Sequence, residues 1–364
     1  MEKQTKEQKS PQKNTKANFR MEWIILESGS TGNASVLRWQ GRALLVDGGI
    51  APSRLHSALR RHRIDPNEVS GLIVSHIHAD HCHVGLVRDI LFRDLPVFAH
   101  ESHFGDLAAR AGLTTYLRKK LVPLKIGQVN RLFPGWEALS HPIPHGDMIN
   151  QAFVFELDHG LFEPGLRLGY MTDLGVWDEA IARFAANCDL LGLEFNHDET
   201  MQLRSGRPWF LIQRNLGDGG HLSNTQAGQC LARIRELSQS RPLKGVVQLH
   251  LSRSCNKIQL ARKAVRALKA SPASGSTLTD RVPRLWTCEP GTASLRIAWS
   301  AKLARPRELR TAPNIRLANT PLASNPSPNA KRASAQGTQK KTLPEMPLGK
   351  FSKDDLFDFR EQTD

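Results

Sequence analysis

Over the first third of the chain, apolar residues fall in short runs rather than in long helical stripes. Trp23 to Leu26, Ser35 to Trp39 and Ala43 to Val46 are apolar or alternating and are separated by Gly-rich turns, which predicts an opening antiparallel meander. Pro52 starts a helical stretch through Leu55, Leu59 and His62, which gives way to a buried strand, Gly71 to Val74. A helix over Val84 to Phe92, a strand over Val97 to Ala99 and a helix over Ser102 to Ala111 follow. The middle of the chain predicts strands at Gln128 to Phe133, Ala138 to Ile143, Ala152 to Leu157 and Leu166 to Met171. Beyond them come a helix at Val176 to Phe184, a strand at Leu190 to Glu194, a helix at Asn224 to Leu237, a strand at Val246 to Leu249 and a helix at Lys257 to Leu268. Strands dominate early and βα units later, so the expected class is α/β, two sheets covered by helices, rather than an all-β barrel or a helical bundle. No repeat recurs at a fixed spacing. No run approaches the roughly eighteen consecutive apolar residues that a membrane-spanning helix needs.

The two ends break this pattern. Of the net charge of +15 over 364 residues, residues 1–20 carry +4, residues 301–364 carry +5 and residues 21–300 only +6. Pro, Ser, Asn, Thr and Lys accumulate at both ends and hydrophobic periodicity is lost, so both are read as disordered tails around one folded domain, 21–300. Basic tails of this kind attract nucleic acid, and a solubilising extension without a partner fits them equally well. The first residues have no apolar segment behind their lysines and do not read as a secretory signal. The five cysteines (Cys82, Cys188, Cys230, Cys255, Cys288) lie far apart, as expected of free thiols in a reducing compartment, and the expected location is the cytoplasm.

The chemistry concentrates where the strand Gly71 to Val74 ends, in Ser75-His76-Ile77-His78-Ala79-Asp80-His81. Imidazole nitrogens and a carboxylate suit zinc, manganese or iron, and a strand end followed by a turn can aim several of them at one point. His141 is the runner-up for any ligand drawn from the region around His145. His83, His100 and His103 read as surface or helix-end residues, and Cys82 and Cys255 as thiols outside the ligand set.

At these residues the chain resembles the metallo-β-lactamase fold superfamily, whose hallmark is His-x-His-x-Asp-His after a buried strand. Asp47 in LLVDGG, His145 in PIPHGD, Asp173 in YMTDLG and His250 in QLHLS extend the resemblance through most of residues 22–299. It implies a four-layer αββα sandwich holding two divalent ions, zinc or manganese, at one edge. Carried over position by position, His76, His78 and His145 would hold the first ion, Asp80, His81 and His250 the second, and Asp173 would bridge them. Asp47 and Glu194 would support these ligands from behind. SGSTGN (Ser28 to Asn33), EFNHD (Glu194 to Asp198) and GHLSN (Gly220 to Asn224) resemble the WalJ/YycJ-like subfamily, which implies a cytosolic DNA exonuclease; Phe195 departs from the usual Ser there.

For a phosphodiester substrate, two ions about 3.5–4 Å apart would acidify a shared water and polarise the phosphoryl group. Asp80 or Asp173 would orient the resulting hydroxide, while His221 and His197 are candidates for holding the phosphate or protonating the leaving oxygen. Ser30, Thr31, Gly32 and Asn33, with Asn196 and Asn224, are candidate substrate contacts; a simple β-turn is the alternative for the first four. Arg204, Arg207, Arg214, Arg253 and Lys257 could line a phosphate path or form a solvated face. Other hypotheses are a cytosolic ester or thioester hydrolase on the same centre, an RNA-processing nuclease, and a nucleic-acid-binding protein with an inactive site. The 77 positions from Asp173 to His250 are too few for the large inserted domain of the RNase J-like branch, and no arm like that of a tRNA 3′-end nuclease is evident. In the last segment, Asp355, Leu356 and Phe357 resemble the end of the bacterial sliding-clamp binding pentapeptide, although Lys353 and Asp354 stand where Gln and Leu are expected. Residues 348–364 are thus a candidate docking peptide for the clamp or another protein, with a partnerless helix as the alternative.

Overall fold

Every residue of the first strand is buried, and a strand buried on both faces needs a layer on each. The computed structural model, which describes residues 21–158, 165–267, 283–290, 295–300 and 305–309, supplies both layers. The first half gives β1 (Met21–Glu27), β2 (Ala34–Trp39), β3 (Arg42–Gly48), α1 (Pro52–Arg61), β4 (Val69–Ile73), α2 (Val84–Phe92), β5 (Val97–His100), α3 (Phe104–Arg110), α4 (Thr115–Arg118) and β6 (Leu121–Leu124). The second gives β7 (Val129–Phe133), β8 (Trp136–Ile143), β9 (Asn150–Leu157), β10 (Leu166–Met171), α5 (Glu179–Ala185) and β11 (Leu190–Glu194). It continues with α6 (Glu199–Leu203), α7 (Trp209–Leu216), α8 (Asn224–Leu237), β12 (Gly245–Leu249), α9 (Ile258–Ala267) and β13 (Arg284–Thr287). The last strands are β14 (Leu295–Trp299) and β15 (Arg307–Glu308).

One sheet has the order β15-β14-β1-β2-β3-β4-β5-β6 and the other β13-β12-β11-β10-β9-β8-β7. Alternation along the strands sorts the core into three clusters. Ile24, Leu26, Leu45 and Leu72 of the first sheet pack with Leu55 and Leu59 of α1, Leu86 and Ile90 of α2 and Leu107 of α3. Their strand neighbours Trp23, Ile25, Leu44 and Ile73 meet Phe153, Phe155, Leu168 and Val247 of the second sheet. Val154, Leu191, Leu193 and Val246 then face Ile181 of α5, Leu231 and Ile234 of α8 and Ala261 of α9. Three apolar interfaces make a four-layer αββα sandwich, the architecture expected.

β3, β4, β5 and β6 are mutually parallel, as are β10, β11, β12 and β13, so each set of strands delivers its C-terminal ends to one edge. Local signals set the helix starts. Pro52 opens α1, and Ser223 with Gln226 forms a capping box on α8. α5 begins later than the expected Val176 because Asp178 caps it, accepting the Ile181 N–H at 2.8 Å. β6 was not anticipated, since Pro123 weakens its strand signal; the ladder tolerates that proline because β6 is the sheet edge. Also unanticipated were α4, α6, α7 and the closing strands β13 to β15, all short. β15 pairs with β14 past residue 300, inside what the sequence suggested was tail. The N-terminal tail, most of the C-terminal one and the docking peptide 348–364 lie outside the described residues. Among the described residues no helix is long and apolar enough to cross a membrane, and all five cysteines are buried and unpaired.

Gly192 of β11 faces Trp23 of the first sheet at close range. A Cβ there would sit 2.5 Å from Trp23 Cη2 and 2.7 Å from Leu249 Cδ1, both core atoms. Gly192→Ala is therefore expected to cost about 1–3 kcal/mol of stability, the usual range for overpacking. Urea unfolding measures it, and an unshifted midpoint would mean that Trp23 yields freely.

Candidate metal centre

The strand ends meet at one edge of the sandwich. Asp47 is the next-to-last residue of β3, His76, His78, Asp80 and His81 follow β4, and His145 follows β8. Asp173 follows β10, Glu194 ends β11 and His250 follows β12. Asp47, Asp173 and His250 have φ of 56°, 56° and 54°, a left-handed turn that swings each side chain inward from its strand. For a residue with a Cβ this costs about 1–2 kcal/mol, a strain that the surrounding contacts must hold.

Asp173 is the hub. Its Oδ2 lies 3.3 Å from His76 Nε2, 2.9 Å from His81 Nε2 and 3.6 Å from His145 Nε2, while its Oδ1 lies 2.6 Å from His250 Nδ1. His76 Nε2 is 2.9 Å from His78 Nδ1, and Asp80 Oδ2 is 3.8 Å from His81 Nε2 and 3.7 Å from His250 Nε2. The donors form two sets, His76, His78, His145, Asp173 and Asp80, His81, Asp173, His250, each within 4.8 Å. These are the groupings that the family resemblance implied. A third set, Asp173, Glu194, His221 and His250, overlaps them.

Outer partners fix the rings. Asp47 Oδ2 accepts from His81 Nδ1 at 2.8 Å, the Gly220 carbonyl from His145 Nδ1 at 2.9 Å, and Glu194 Oε1 from His250 Nδ1 at 2.8 Å. Carboxylates and carbonyls only accept, so each imidazole carries its proton on Nδ1 and turns Nε2 toward the cluster. Burial, then the neighbouring His81, pushes His76 down to about 4, and burial also lowers His78 and His145, which keeps these three neutral and able to ligate. Burial opposes charge on His81, yet Asp173 and Asp47 overcome it and push its pKa up to about 10; His250 is raised likewise, chiefly by Asp173. Burial would also raise Asp80 and Glu194, but the imidazoles beside them hold each down to about 2.

This donor set fits divalent cations. Asp47, Asp173 and Glu194 are 0–1% exposed, and among the described residues no lysine or arginine forms an ion pair with them or with Asp80. Buried carboxylates need counter-charge, and here only imidazolium protons or a cation can provide it. His250 Nε2 is buried with no hydrogen-bond partner, as a ligand nitrogen would be. Zinc–nitrogen bonds of about 2.0–2.1 Å place tetrahedral ligand atoms about 3.3 Å apart, and in the first set His76 to His78, His76 to Asp173 and His145 to Asp173 are 2.9, 3.3 and 3.6 Å.

The remaining candidates separate by exposure. His221 keeps 20% of its side chain exposed, with Nδ1 2.9 Å from Glu194 Oε1; with Asp80 (26%) it lines the open side of the cluster. His197 is fully buried, both ring nitrogens lack partners, and burial pushes its pKa down to about 4. It therefore has neither the access nor the proton for the acid role considered for it. Asn33 lies 2.8 Å from His81 Nε2 and its backbone N–H donates to the Asp80 carbonyl at 2.6 Å. Asn196 donates to the His250 carbonyl, and Asn224 to Asn256. These three buried amides brace the site rather than offering themselves to substrate. Ser30 and Thr31 are exposed in a β-turn closed by Gly32 N–H on the Gly29 carbonyl, so the turn reading describes this segment. His141 stacks on Phe184, 5.1 Å between centroids, outside the cluster. Burial pushes the Cys82 thiol up to about 12, and Cys255 is likewise buried outside the cluster.

Sequence reasoning missed Ser75, Tyr170 and Ser28. Asp47 accepts from the Ser75 N–H and hydroxyl at 2.8 and 3.0 Å and from the Tyr170 hydroxyl at 2.9 Å; Ser28 accepts the His250 N–H at 2.8 Å. Ser75 and Ser28 open motifs that assign them no role, and Tyr170 had only its place in YMTD. Gly49 is a further structural requirement, because a Cβ there would fall 1.7 Å from the Asp80 carbonyl oxygen. Gly49→Ala is expected to displace the His78–His81 turn and weaken zinc binding about 10–100-fold, the scale of losing an outer partner. Titration calorimetry tests this, and wild-type affinity would show that the turn can move without cost.

The family model of the beta-lactamase superfamily domain matches residues 42–241. The exodeoxyribonuclease YycJ of Bacillus anthracis is 29% identical over 248 residues, covering 67% of this chain and 88% of that protein. The exodeoxyribonuclease WalJ of Streptococcus pneumoniae is 30% identical over 241 residues, covering 66% and 84%. Among solved structures, the metallo-β-lactamase fold protein YhfI from Bacillus subtilis aligns with a TM-score of 0.53 at 16% identity, over 77% of this chain and 99% of that one. Similarity at that level of identity speaks to the fold alone.

Proposed function

Because the chain belongs to the metallo-β-lactamase superfamily of hydrolases, we propose that it is a cytoplasmic phosphodiesterase that degrades DNA as an exonuclease. The observation that carries this reading is the pair of donor sets sharing Asp173, taken with the two exodeoxyribonuclease relatives. His76, His78 and His145 with Asp173 would hold one zinc or manganese ion, and Asp80, His81 and His250 with Asp173 the other. Such a pair supplies positive charge to the phosphoryl oxygens and acidifies water at the site.

The rest falls to side chains. Asp80, held ionised and partly exposed, accepts a hydrogen bond from the attacking water and orients it toward phosphorus. Glu194 stays anionic and holds the His221 Nδ1 proton, so that His221 in its imidazolium form gives the Nε2 proton to the departing oxygen as the P–O bond breaks and remains as the neutral ring. Closure of the cluster away from solvent strengthens each of these interactions. The test is metal analysis of the purified protein together with cleavage of end-labelled duplex DNA, single-stranded DNA and RNA, with thioesters in parallel. DNA cleavage dependent on zinc or manganese is expected; full metal occupancy without cleavage of any nucleic acid ends this reading, and thioester turnover in its place moves the chemistry to acyl transfer.

A further inference from the structure

Two large aromatic side chains stand exposed at the start of α7, a helix whose other end borders the metal centre. Trp209 is 60% exposed and Phe210 67%, adjacent on α7, and Leu203 of α6 is exposed as well. Residues four apart share a helix face, so Trp209 lies over Gln213 and Phe210 over Arg214; all four are exposed, while Ile212 buries the other side. The C-terminal end of α7 is tied to the site. The Asn215 carbonyl accepts the His221 N–H at 3.1 Å, and Gly220, whose carbonyl holds His145, packs on the backbone of Arg214 and Asn215. At about 1.5 Å of rise per residue the aromatic pair stands on the order of 10 Å from that loop, roughly three nucleotides at about 3.4 Å per stacked base.

Five basic side chains stand on the segments next to the pair, with Glu289 the carboxylate on the recess that two of them border. Arg204 and Arg207 precede α7, Arg214 lies on it, and Arg253 and Lys257 stand on the loop after His250, where they border a recess of 300 Å³. Arg207 Nη2 donates to Ser254 Oγ at 2.6 Å, which joins the two segments. Among the described residues no carboxylate pairs with any of these five side chains, whereas Arg38, Arg233, Arg241 and Lys244 each have one. Unpaired guanidinium groups around exposed aromatic faces match a single nucleic-acid strand, whose phosphates neutralise the former and whose unpaired bases stack on the latter. In a duplex those base faces are already covered by their neighbours.

We propose that α7 is a stacking platform that seats a single strand of nucleic acid beside the metal centre, so that the enzyme engages single-stranded substrate or a frayed end in preference to intact duplex. This rests on the nuclease reading and narrows its substrate. Fluorescence anisotropy of the full-length protein with a labelled, phosphorothioate-linked oligothymidylate tests it. The Trp209→Ala, Phe210→Ala double variant is expected to bind about tenfold or more weakly, the scale of losing one base–aromatic stack, while Trp209→Phe keeps most of the affinity. Arg214→Gln weakens binding and flattens its salt dependence. Metal content and melting temperature at wild-type values establish that the double variant is folded. Unchanged strand affinity in that variant overturns the proposal, as does a loss that tracks a change in sedimentation from dimer to monomer, which makes the pair a contact with a second copy. Strand binding through the aromatics by a wild-type protein that cuts no nucleic acid leaves the platform standing and removes the nuclease reading instead.

Discussion

Asp173→Ala is expected to abolish occupancy of both cation sites at once and, with it, hydrolysis. The carboxylate contributes Oδ2 within 3.6 Å of three imidazole nitrogens and Oδ1 within 2.6 Å of a fourth, and it belongs to each of the donor sets. No free carboxylate stands beside it, because the others are already committed: Asp47 to His81, Glu194 to His221 and His250, and Asp80 to the second donor set. Loss of an outer partner alone costs about 10–100-fold in metal affinity or activity, so activity should fall at least that far. Metal analysis after zinc loading, beside turnover with added zinc or manganese, gives the answer. Retention of two ions per chain by the variant would remove Asp173 from the centre of the site.

Asp47→Asn is expected to weaken metal binding and the fold together, although Asp47 touches neither proposed ion. Its two oxygens accept four hydrogen bonds, from Ser75 N–H, Ser75 Oγ, His81 Nδ1 and the Tyr170 hydroxyl. Burial, then Asp47, holds Tyr170 well above the usual phenol range, so Tyr170 remains a donor. An asparagine presents an N–H₂ to at least one of these donors in either orientation of its amide. Each buried donor left unpaired costs about 1–3 kcal/mol, and the freed His81 ring should cost about 10–100-fold in zinc affinity. Urea unfolding of the metal-free variant isolates the first effect and zinc titration the second. A variant with lowered stability but normal zinc affinity would make Asp47 a support of the fold alone.

Much of the molecule was legible because its signals are local. The runs at Leu166 to Met171 and Leu190 to Glu194 have the bounds of β10 and β11, and Ser223 marks the start of α8 by a cap that depends on its own neighbours. The opening meander and the parallel βα units followed from alternation and from helical periodicity. Elements whose signal is weak or non-local were not legible: β6 carries an edge proline, β13 to β15 are too short to display a period, and α7 buries only one large side chain outright. The exposed face of α7, which carries the proposed strand platform, leaves almost no hydrophobic pattern to detect.

The sequence by itself determined which chemistry is available, since His76, His78, Asp80 and His81 follow one buried strand and can only be presented together. It also determined that residues 1–20 and 301–364 carry +4 and +5 of the net +15. Only the tertiary structure decided which donors converge. His145 joins the cluster while His141, four residues earlier, stacks on Phe184. His221 stays partly open while His197 is sealed, and Asn33 turns to His81 instead of to solvent. The physical reason is that a residue type fixes what a side chain can donate or accept, whereas its partner is set by strand register and by crossovers that bring distant segments to one edge. Asp47 meets Tyr170 across 123 positions of sequence, and His250 meets Ser28 across 222.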